Sequence, residues 1–502
     1  MRAVNSPEQL AVIDLGSNSF QMVVARVDNG QLHVVDRLRE PVGLVGGLDA
    51  ENNLDETIRV AALACLSRMG ERLRDLPRAK VRAVGTNTLR RAKNARAFIE
   101  DAEAALGHRI EIIGGQEEAR LVYQGAARNL PEYPRRRLVI DVGGGSTELV
   151  LGHGKEPIER DSIQIGHLRW AIKFFADGIT ARAFDEAETR ARLELGGLKR
   201  RYRALGWEIA VGASGTFRAV DAILSAQGWS VEGVRREGLA KLRAVLIEAG
   251  TVEALVARNL PGLSTDRARS IAGGVAILSA IFDTLAIEEM TASQGALREG
   301  VLYDLLGRIH HDDARDHTID ILQRRYSIDR QHAARVERTT LTLFHQVAGP
   351  WKLGRLHGQR FLSWAALLHE IGLSVNHSSH HKHGAYLIKN CDMPGFSRND
   401  QEMLAAIVAG HRRKVTAERL APYIGPARLQ TALKLVTILR LAVRLHRTRS
   451  SRTLPDIELE ANGSALTMTF PPHWLDEHPL KRADLLDEAS ILRAAGFDLA
   501  IV

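Results

Sequence analysis

The sequence predicts an α/β protein of two related lobes, followed by an all-helical region and a small C-terminal α+β unit. Three observations carry this prediction. Strand-like and helix-like segments alternate through the N-terminal part, the pattern of an α/β fold. One stretch occurs twice: VIDLGSNSFQMVVARV from Val12 lines up without gaps on VIDVGGGSTELVLGHG from Val139. Beyond about Gly307 the texture changes to helices with little strand signal, as in ILQRRYSIDRQHAARVERTTLTLFHQV and FLSWAALLHEIGL.

Taken in order, residues 11–15 and 20–27 read as the two strands of a hairpin. A helix over 55–76 follows from the apolar spacing of Ile58, Ala62, Cys65, Leu66, Met69 and Leu73. Then come a strand Val81–Gly85, a helix near Ala95–Leu106 and a strand at 110–113. The pair Gly114-Gly115 leads into a helix that starts near Gln116, and such a pair before a helix makes a phosphate-facing turn plausible. The repeat then opens a second lobe: Asp14 matches Asp141, Gly16 matches Gly143, Ser19 matches Ser146, and Gln21 matches Glu148. Near the end, IELE and ALTMTF flank Asn462-Gly463, a hairpin signal. With 502 residues the chain is long enough for roughly three or four domains. The expected boundaries are 1–124 and 125–306 for the lobes, 307–450 for the helical domain, and 451–502 for the last unit.

Composition narrows the function. Charged residues at 25% and hydrophobic ones at 45% describe a globular chain. The longest apolar run, 271–282, is far shorter than the roughly 20 residues that cross a bilayer, so no membrane span is expected. Residues 1–10 lack a basic start and an apolar h-region, so no secretion signal is expected either. Two distant cysteines, Cys65 and Cys391, make a disulfide framework improbable, and a cytoplasmic location fits best. The net charge of +8 favours a polyanionic partner. Aromatic residues are only 5%, and no stacking platform or recognition helix is evident, which argues against sequence-specific nucleic-acid binding.

Phosphoryl transfer to water needs a cation on the phosphate oxygens, donors that hold the phosphate, and a base that orients the water. Asp141 and Glu148, at either side of the GGGST turn, suit Mg²⁺, which takes one or two carboxylates and keeps several waters. The ordinary alternative is that Asp141 caps the turn and Glu148 is a solvated strand residue. Asp14, the repeat equivalent, either helps hold the ion's water shell or braces the first turn. For the base, Glu117 and Glu118 both lie in a helix's first turn, where the helix dipole alone would also favour acids. Neighbours on a helix point about 100° apart, so at most one faces a cleft, and spacing does not say which. Two Gly-, Ser- and Asn-rich turns facing each other would grip a phosphate with backbone N–H groups. GTNTLRR at 85–91, with Arg90 and Arg91, and GASGT at 212–216, with Ser214, offer further donors or are mere punctuation.

These motifs, with IIGGQEEARLVYQG, PGLSTDR, GALREGVLY, LLHEIGL and KHGAYLIKNCDMPGF, resemble the exopolyphosphatase and guanosine pentaphosphate phosphohydrolase family of the actin/sugar-kinase/Hsp70 superfamily over nearly the whole chain. The resemblance implies two actin-like (ribonuclease H-like) lobes, an HD-like helical domain and a homodimer. It implies that Glu118 is the base that activates water, and that Asp141 and Glu148 position Mg²⁺. It further implies that Asn18, Ser19, Arg90, Gly144, Gly145, Ser146 and Thr147 hold the terminal phosphate, with Ser214 and Arg267 farther along the cleft. In the helical domain, His369-Glu370 stands where metal-dependent HD-type hydrolases have His-Asp, so a second active site is not expected there. His377, His380, His381 and His383, with Arg412, Arg413 and Lys414, are read instead as a polar surface that guides a long polyanion.

The resemblance leaves substrates open. Release of terminal phosphate from inorganic polyphosphate is placed first, because IDVGGGSTELV and NHSSHHKHGAYLIKN look closer to the polyphosphate branch. Hydrolysis of guanosine pentaphosphate, alone or as a second activity, is the alternative. A non-catalytic sensor is disfavoured by the joint presence of Glu118, Asp141 and Glu148, and a sugar kinase would need an alcohol acceptor.

Overall fold

The computed structural model of the chain describes residues 8–28, 31–128, 136–230, 233–310 and 313–502; residues 1–7, read above as carrying no secretion signal, lie outside them. The chain divides into two compact units, Met1–Asp312 and Asp313–Val502.

The first unit holds two sheets of the same design. In the first, β1 (Gln9–Leu15), β2 (Ser19–Asp28), β3 (Gln31–Pro41), β4 (Val81–Gly85) and β5 (Ile110–Ile112) lie in the order β3-β2-β1-β4-β5. The first three form an antiparallel meander, and β4 and β5 join in parallel. In the second, β6 (Arg136–Val142), β7 (Thr147–His153), β8 (Glu156–Ile163), β9 (Ile209–Gly212), the two-residue β10 (Val234–Arg235) and β11 (Glu289–Ala292) follow the order β10-β11-β9-β6-β7-β8. Again a meander is followed by parallel β9 and β11, with β10 added at the edge. The register bears out the repeat: Asp14 lies opposite Gln21, and Asp141 lies opposite Glu148.

Both central strands are covered on both faces, so they read as unbroken apolar runs rather than as alternation. In β1, Ala11, Ile13 and Leu15 enter one core while Leu10 and Val12 enter another. In β6, Leu138, Ile140 and Val142 do the former and Val139 the latter. The core reached by both sheets also holds the inner faces of two helices, Gly115–Arg128 and Leu297–Ile309. These helices cross in close contact. A Cβ on Gly125 would lie 2.0 Å from the carbonyl oxygen of Ala296, and one on Gly300 would lie 1.8 Å from that of Leu121. The boundaries expected at 124/125 and 306/307 fall inside these two helices. Neither helix ends there because each buries residues against both sheets.

A buried ion network fastens the same pair. Arg120 makes two 2.8 Å bonds to Glu117 and a further bond to Asp304; Asp304 also receives Arg82 at 2.7 Å and Arg308 at 3.0 Å. The helix expected over 55–76 runs Glu56–Leu73, capped by the Asp55 carboxylate on Ile58 N–H.

The second unit is mainly helical. Helices including Arg330–Val347, Arg355–Leu368, Arg398–Gly410 and Pro426–Leu445 share one apolar core with a three-stranded sheet of β12 (Glu458–Asn462), β13 (Ala465–Thr469) and β14 (Asp498–Ile501). The predicted hairpin at Asn462-Gly463 is present, with Gly463 at φ 60°. Residues 451–502 do not stand apart as a fourth unit. Leu459, Leu466, Leu485 and Leu499 complete the helical core, and Glu488 is buried against Arg440 and Arg444 of helix Pro426–Leu445. Cys65 and Cys391 are free thiols, and among the described residues no helix is long and apolar enough to cross a membrane.

Candidate active site

The two hairpin turns of the first unit face one another across a cleft of about 340 Å³. A Cβ on Gly144 would meet the Ser17 side chain at 3.1 Å, and one on Gly145 would meet Asn87 Oδ1 at 2.6 Å. At Gly145 a side chain would collide with Asn87 of helix Asn87–Arg91, and at Gly144 it would press on Ser17 of the opposing turn. The carbonyls of Ser17 and Asn18 accept from Val45, Val42 and Gly43, and those of Gly143 and Gly144 accept from His167 and Arg169. No described peptide is cis. In a trans peptide the N–H points opposite to its carbonyl. The N–H groups of Asn18, Ser19, Gly144 and Gly145 therefore point away from the segments that bond those carbonyls, and all four residues line the cleft, which suits an anion.

Of the residues singled out in the sequence, Asp14, Asn18, Ser19, Glu118, Asp141, Gly144, Gly145, Ser146, Glu148, Ser214 and Arg267 all line this cleft. The choice between the two glutamates is resolved. Glu117 is committed to Arg120 in the buried ion network, whereas Glu118, one residue on, turns into the cleft. Its Oε2 accepts a 2.6 Å bond from Arg90 Nη1, which also donates to the carbonyl of Ile113 at 2.9 Å.

Two expected phosphate ligands are engaged by protein groups. Arg90 bonds Glu118 through Nη1 and is not among the cleft-lining residues, while its Nη2 is buried without a hydrogen-bond partner among the described residues. Thr147 is fully buried, and its hydroxyl donates to the carbonyl of Ile165 at 2.6 Å, so its side chain ties β7 to the chain after β8. Arg91 is bonded to Asn52. Ser214 caps helix Gly215–Ala226 through Phe217 N–H at 2.9 Å, which aims that helix's N-terminus at the cleft. Arg267 lies against Gly215, where a Cβ would come within 2.4 Å of its Nη2.

The electrostatics are unusual on both sides. Asp141 and Glu148, opposite each other in register, project from the same sheet face. Burial, then repulsion from Glu118, pushes the Asp141 carboxyl up to about 7 and the Glu148 carboxyl well above its ordinary value. Asp14 is also pushed to about 7, chiefly by burial, and its Oδ1 is buried without a hydrogen-bond partner among the described residues. Four carboxylates, Asp14, Glu118, Asp141 and Glu148, thus line the cleft. Arginines crowd it too: Arg39, Arg218 and Arg298 join Arg267. Burial, then the charges of Arg39 and Arg218, pushes Arg267 below its ordinary value. Burial and Arg267 together push the His167 imidazole down to about 3, so it is neutral. A site that gathers acids beside clustered guanidiniums fits a cation and a polyanion together.

Sequence reasoning missed Asn87, Arg39, Arg218, Arg298 and His167 as cleft residues. Arg298 lies within the quoted motif GALREGVLY and Arg218 directly follows GASGTF, so both carried a signal. Arg39 lies on the edge strand β3 outside any motif, and only the meander's fold brings it to Ser19.

Residues 23–309 match the Ppx/GppA phosphatase family, and residues 314–489 match domain III of Ppx/GppA phosphatases. A guanosine-5'-triphosphate,3'-diphosphate pyrophosphatase of Aeromonas hydrophila subsp. hydrophila is 42% identical over 494 residues, covering 98% of both chains. One of Vibrio vulnificus is 37% identical over 501 residues, covering 100% of this chain and 99% of the relative. Among solved structures, the Aquifex aeolicus member of the Ppx/GppA protein family superposes with a TM-score of 0.53 at 25% identity, covering 61% of this chain and 100% of that one. The two lobes have the actin-like arrangement expected from the resemblance, with a separate domain III after them. By sequence, domain order and fold, this chain belongs to the Ppx/GppA phosphatase family.

Proposed function

We propose that the chain hydrolyses the terminal 5'-phosphate of guanosine 5'-triphosphate 3'-diphosphate, leaving the tetraphosphate and orthophosphate. The chemistry rests on one observation above all: Glu118 enters the cleft between two opposed glycine-lined turns while Glu117 is locked away from it. The choice of nucleotide is supported by the names of relatives that are 37–42% identical over nearly the whole chain. This reverses the order of the sequence reading, which put inorganic polyphosphate first. Polyphosphate remains the second reading, because four arginines in the cleft would accept any linear phosphate chain.

The acid cluster fits Mg²⁺. Asp141 and Glu148 would hold it with Asp14 beside them, since a cation relieves the unpaired Asp14 Oδ1 and the mutual repulsion of these carboxylates. When bound, Mg²⁺ supplies charge neutralisation at the phosphate oxygens. The chain's own residues do the rest. The N–H groups of Asn18, Ser19, Gly144 and Gly145 hold the terminal phosphoryl group still, and Arg267, Arg218, Arg39 and Arg298 bind the remaining phosphates. Glu118, fixed by Arg90, orients a water and accepts its proton. The water oxygen bonds to the terminal phosphorus as the bond to the bridging oxygen breaks, and the electron pair leaves with the nucleotide.

In this reading the protein acts in the cytoplasm as a homodimer, and sedimentation velocity of the purified protein tests the dimer. Substrate choice is tested by phosphate release from guanosine pentaphosphate and from long-chain polyphosphate under one Mg²⁺ concentration. A higher kcat/KM for the nucleotide is expected; a higher value for polyphosphate would restore the first order.

A further inference from the structure

His167 lines the cleft yet takes no part in the hydrolysis assigned to Glu118, the two turns and the arginines. It is buried, and it opens helix His167–Phe174. Its backbone is held from two sides. The N–H donates to the carbonyl of Gly143 at 2.9 Å, at the foot of the second turn. A Cβ on Gly273 would lie 2.3 Å from the His167 carbonyl oxygen, so helix Ile271–Leu285 presses on the other side. A Cβ on the next residue, Gly274, would meet the Thr216 side chain at 2.5 Å and His167 Cβ at 3.7 Å. Thr216 follows Gly215, against which Arg267 lies. The ring is therefore fixed between the turn assigned to the terminal phosphoryl group and an arginine assigned to the phosphates behind it.

The ring nitrogens differ in what they can reach. Nδ1 is enclosed and has no hydrogen-bond partner among the described residues. A histidine kept for packing commonly pairs a ring nitrogen with a carbonyl, as His411 does with Val408 at 2.6 Å. A proton on the enclosed Nδ1 would be a buried donor with nothing to accept it, and an unpaired acceptor is the better tolerated of the two defects. The proton therefore sits on Nε2. Since Nδ1 is walled off, the ring meets the cleft along its Nε2 edge. Burial and the Arg267 charge hold the imidazole neutral, with its value down at about 3. It offers one N–H without adding charge to the arginines already gathered there.

We propose that His167 donates from Nε2–H to an oxygen of the phosphate that departs, the one next to the terminal phosphoryl group. As the bond from the terminal phosphorus to the bridging oxygen breaks, its electron pair goes to that phosphate. A donor already aimed there stabilises the new charge without reorganising. The proton stays on the ring, because a neutral imidazole is a hydrogen-bond donor and not an acid at neutral pH. The inference rests on the reading of the cleft as a site of terminal-phosphate hydrolysis, and it holds for either phosphate substrate.

The test measures kcat and KM for phosphate release from guanosine pentaphosphate and from long-chain polyphosphate in saturating Mg²⁺. It compares the full wild-type chain with His167→Leu and His167→Gln. The leucine side chain fills space without a donor, whereas the glutamine amide sets an N–H near the place of Nε2. His167→Leu should lower kcat about 10- to 100-fold with KM changed little, and His167→Gln should recover most of the loss. Thermal unfolding of both variants should stay near that of wild type. A role confined to packing would follow stability rather than the donor. Wild-type kcat in folded His167→Leu, a rise in KM alone, or His167→Gln no faster than His167→Leu would overturn the proposal. Should the variants not fold, a crystal structure of the wild-type protein with Mg²⁺, the tetraphosphate nucleotide and aluminium fluoride in place of the terminal phosphate decides. Nε2 within hydrogen-bond distance of the nucleotide's outer 5'-phosphate supports the proposal, and a ring without phosphate contact overturns it. Wild-type protein that releases no phosphate from either substrate would overturn the reading of the cleft and this inference with it. If wild type releases phosphate and the variants match it, only this inference falls.

Discussion

Arg90 Nη1 bonds Glu118 Oε2 at 2.6 Å and the carbonyl of Ile113 at 2.9 Å, so the guanidinium links the start of helix Gly115–Arg128 to the residue after β5. That link sets the direction of one carboxylate. Arg90→Lys removes the planar guanidinium whose Nη1 donates both bonds. It should lower kcat by roughly 10- to 100-fold while changing KM little, because Glu118 remains but its orientation is lost. Steady-state kinetics with the pH profile of kcat check this; a rise in KM alone would make Arg90 a substrate ligand instead.

Glu117 and Glu118 are adjacent yet answer to different forces. Glu117→Gln weakens the pairing of Arg120 inside the ion network and should lower stability while the folded fraction keeps its turnover. Chemical denaturation and phosphate release measured on the same samples separate the two effects.

Asp304 is the centre of that network. Burial alone would raise its carboxyl, but Arg120, Arg82 and Arg308 outweigh burial and hold it well below the usual carboxylate range. The sign follows: the folded value is depressed, so the stability it contributes is present above the unfolded pKa of about 3.9 and is lost as pH falls toward the folded value. Asp304→Asn leaves buried guanidiniums without their shared partner and should cost about 3–5 kcal/mol at neutral pH, read from urea unfolding of the first unit. It should also flatten the acid limb of the stability profile.

Much of the first unit was legible in the sequence because its signals are local. Two copies of a hairpin with matched Asp, Gly and Ser gave the register that places Asp141 opposite Glu148. Strand Val81–Gly85 and helix Ala95–Leu106 also run as the pattern predicts. What was hidden depends on long-range packing. Helices Gly115–Arg128 and Leu297–Ile309 are far apart in the chain, and only the Gly125–Gly300 crossing shows that both belong to the two lobes at once. Thr147 carried the right residue type for a phosphate ligand, but its hydroxyl is used by Ile165.

The acid cluster makes a pH prediction of opposite sign to that of Asp304. Asp14 and Asp141 have folded values raised to about 7 from 3.8. The folded state then binds more protons than the unfolded chain between those limits, so stability in chelator should fall as pH rises from about 4 to about 7 and level off above. Mg²⁺ should restore it, with an affinity that increases over the same window as the carboxylates ionise. Thermal unfolding with and without Mg²⁺ checks both statements, and Asp141→Asn should reduce both effects.

The central claim is that Glu118, and no neighbouring acid, drives water onto the terminal phosphate held between the two turns. The direct measurement is single-turnover phosphate release from guanosine pentaphosphate by wild-type protein and Glu118→Gln, with nucleotide binding measured alongside. The account predicts that Glu118→Gln binds nucleotide as wild type does but releases phosphate about 10²- to 10⁴-fold more slowly. Release at the wild-type rate from the folded variant would contradict it.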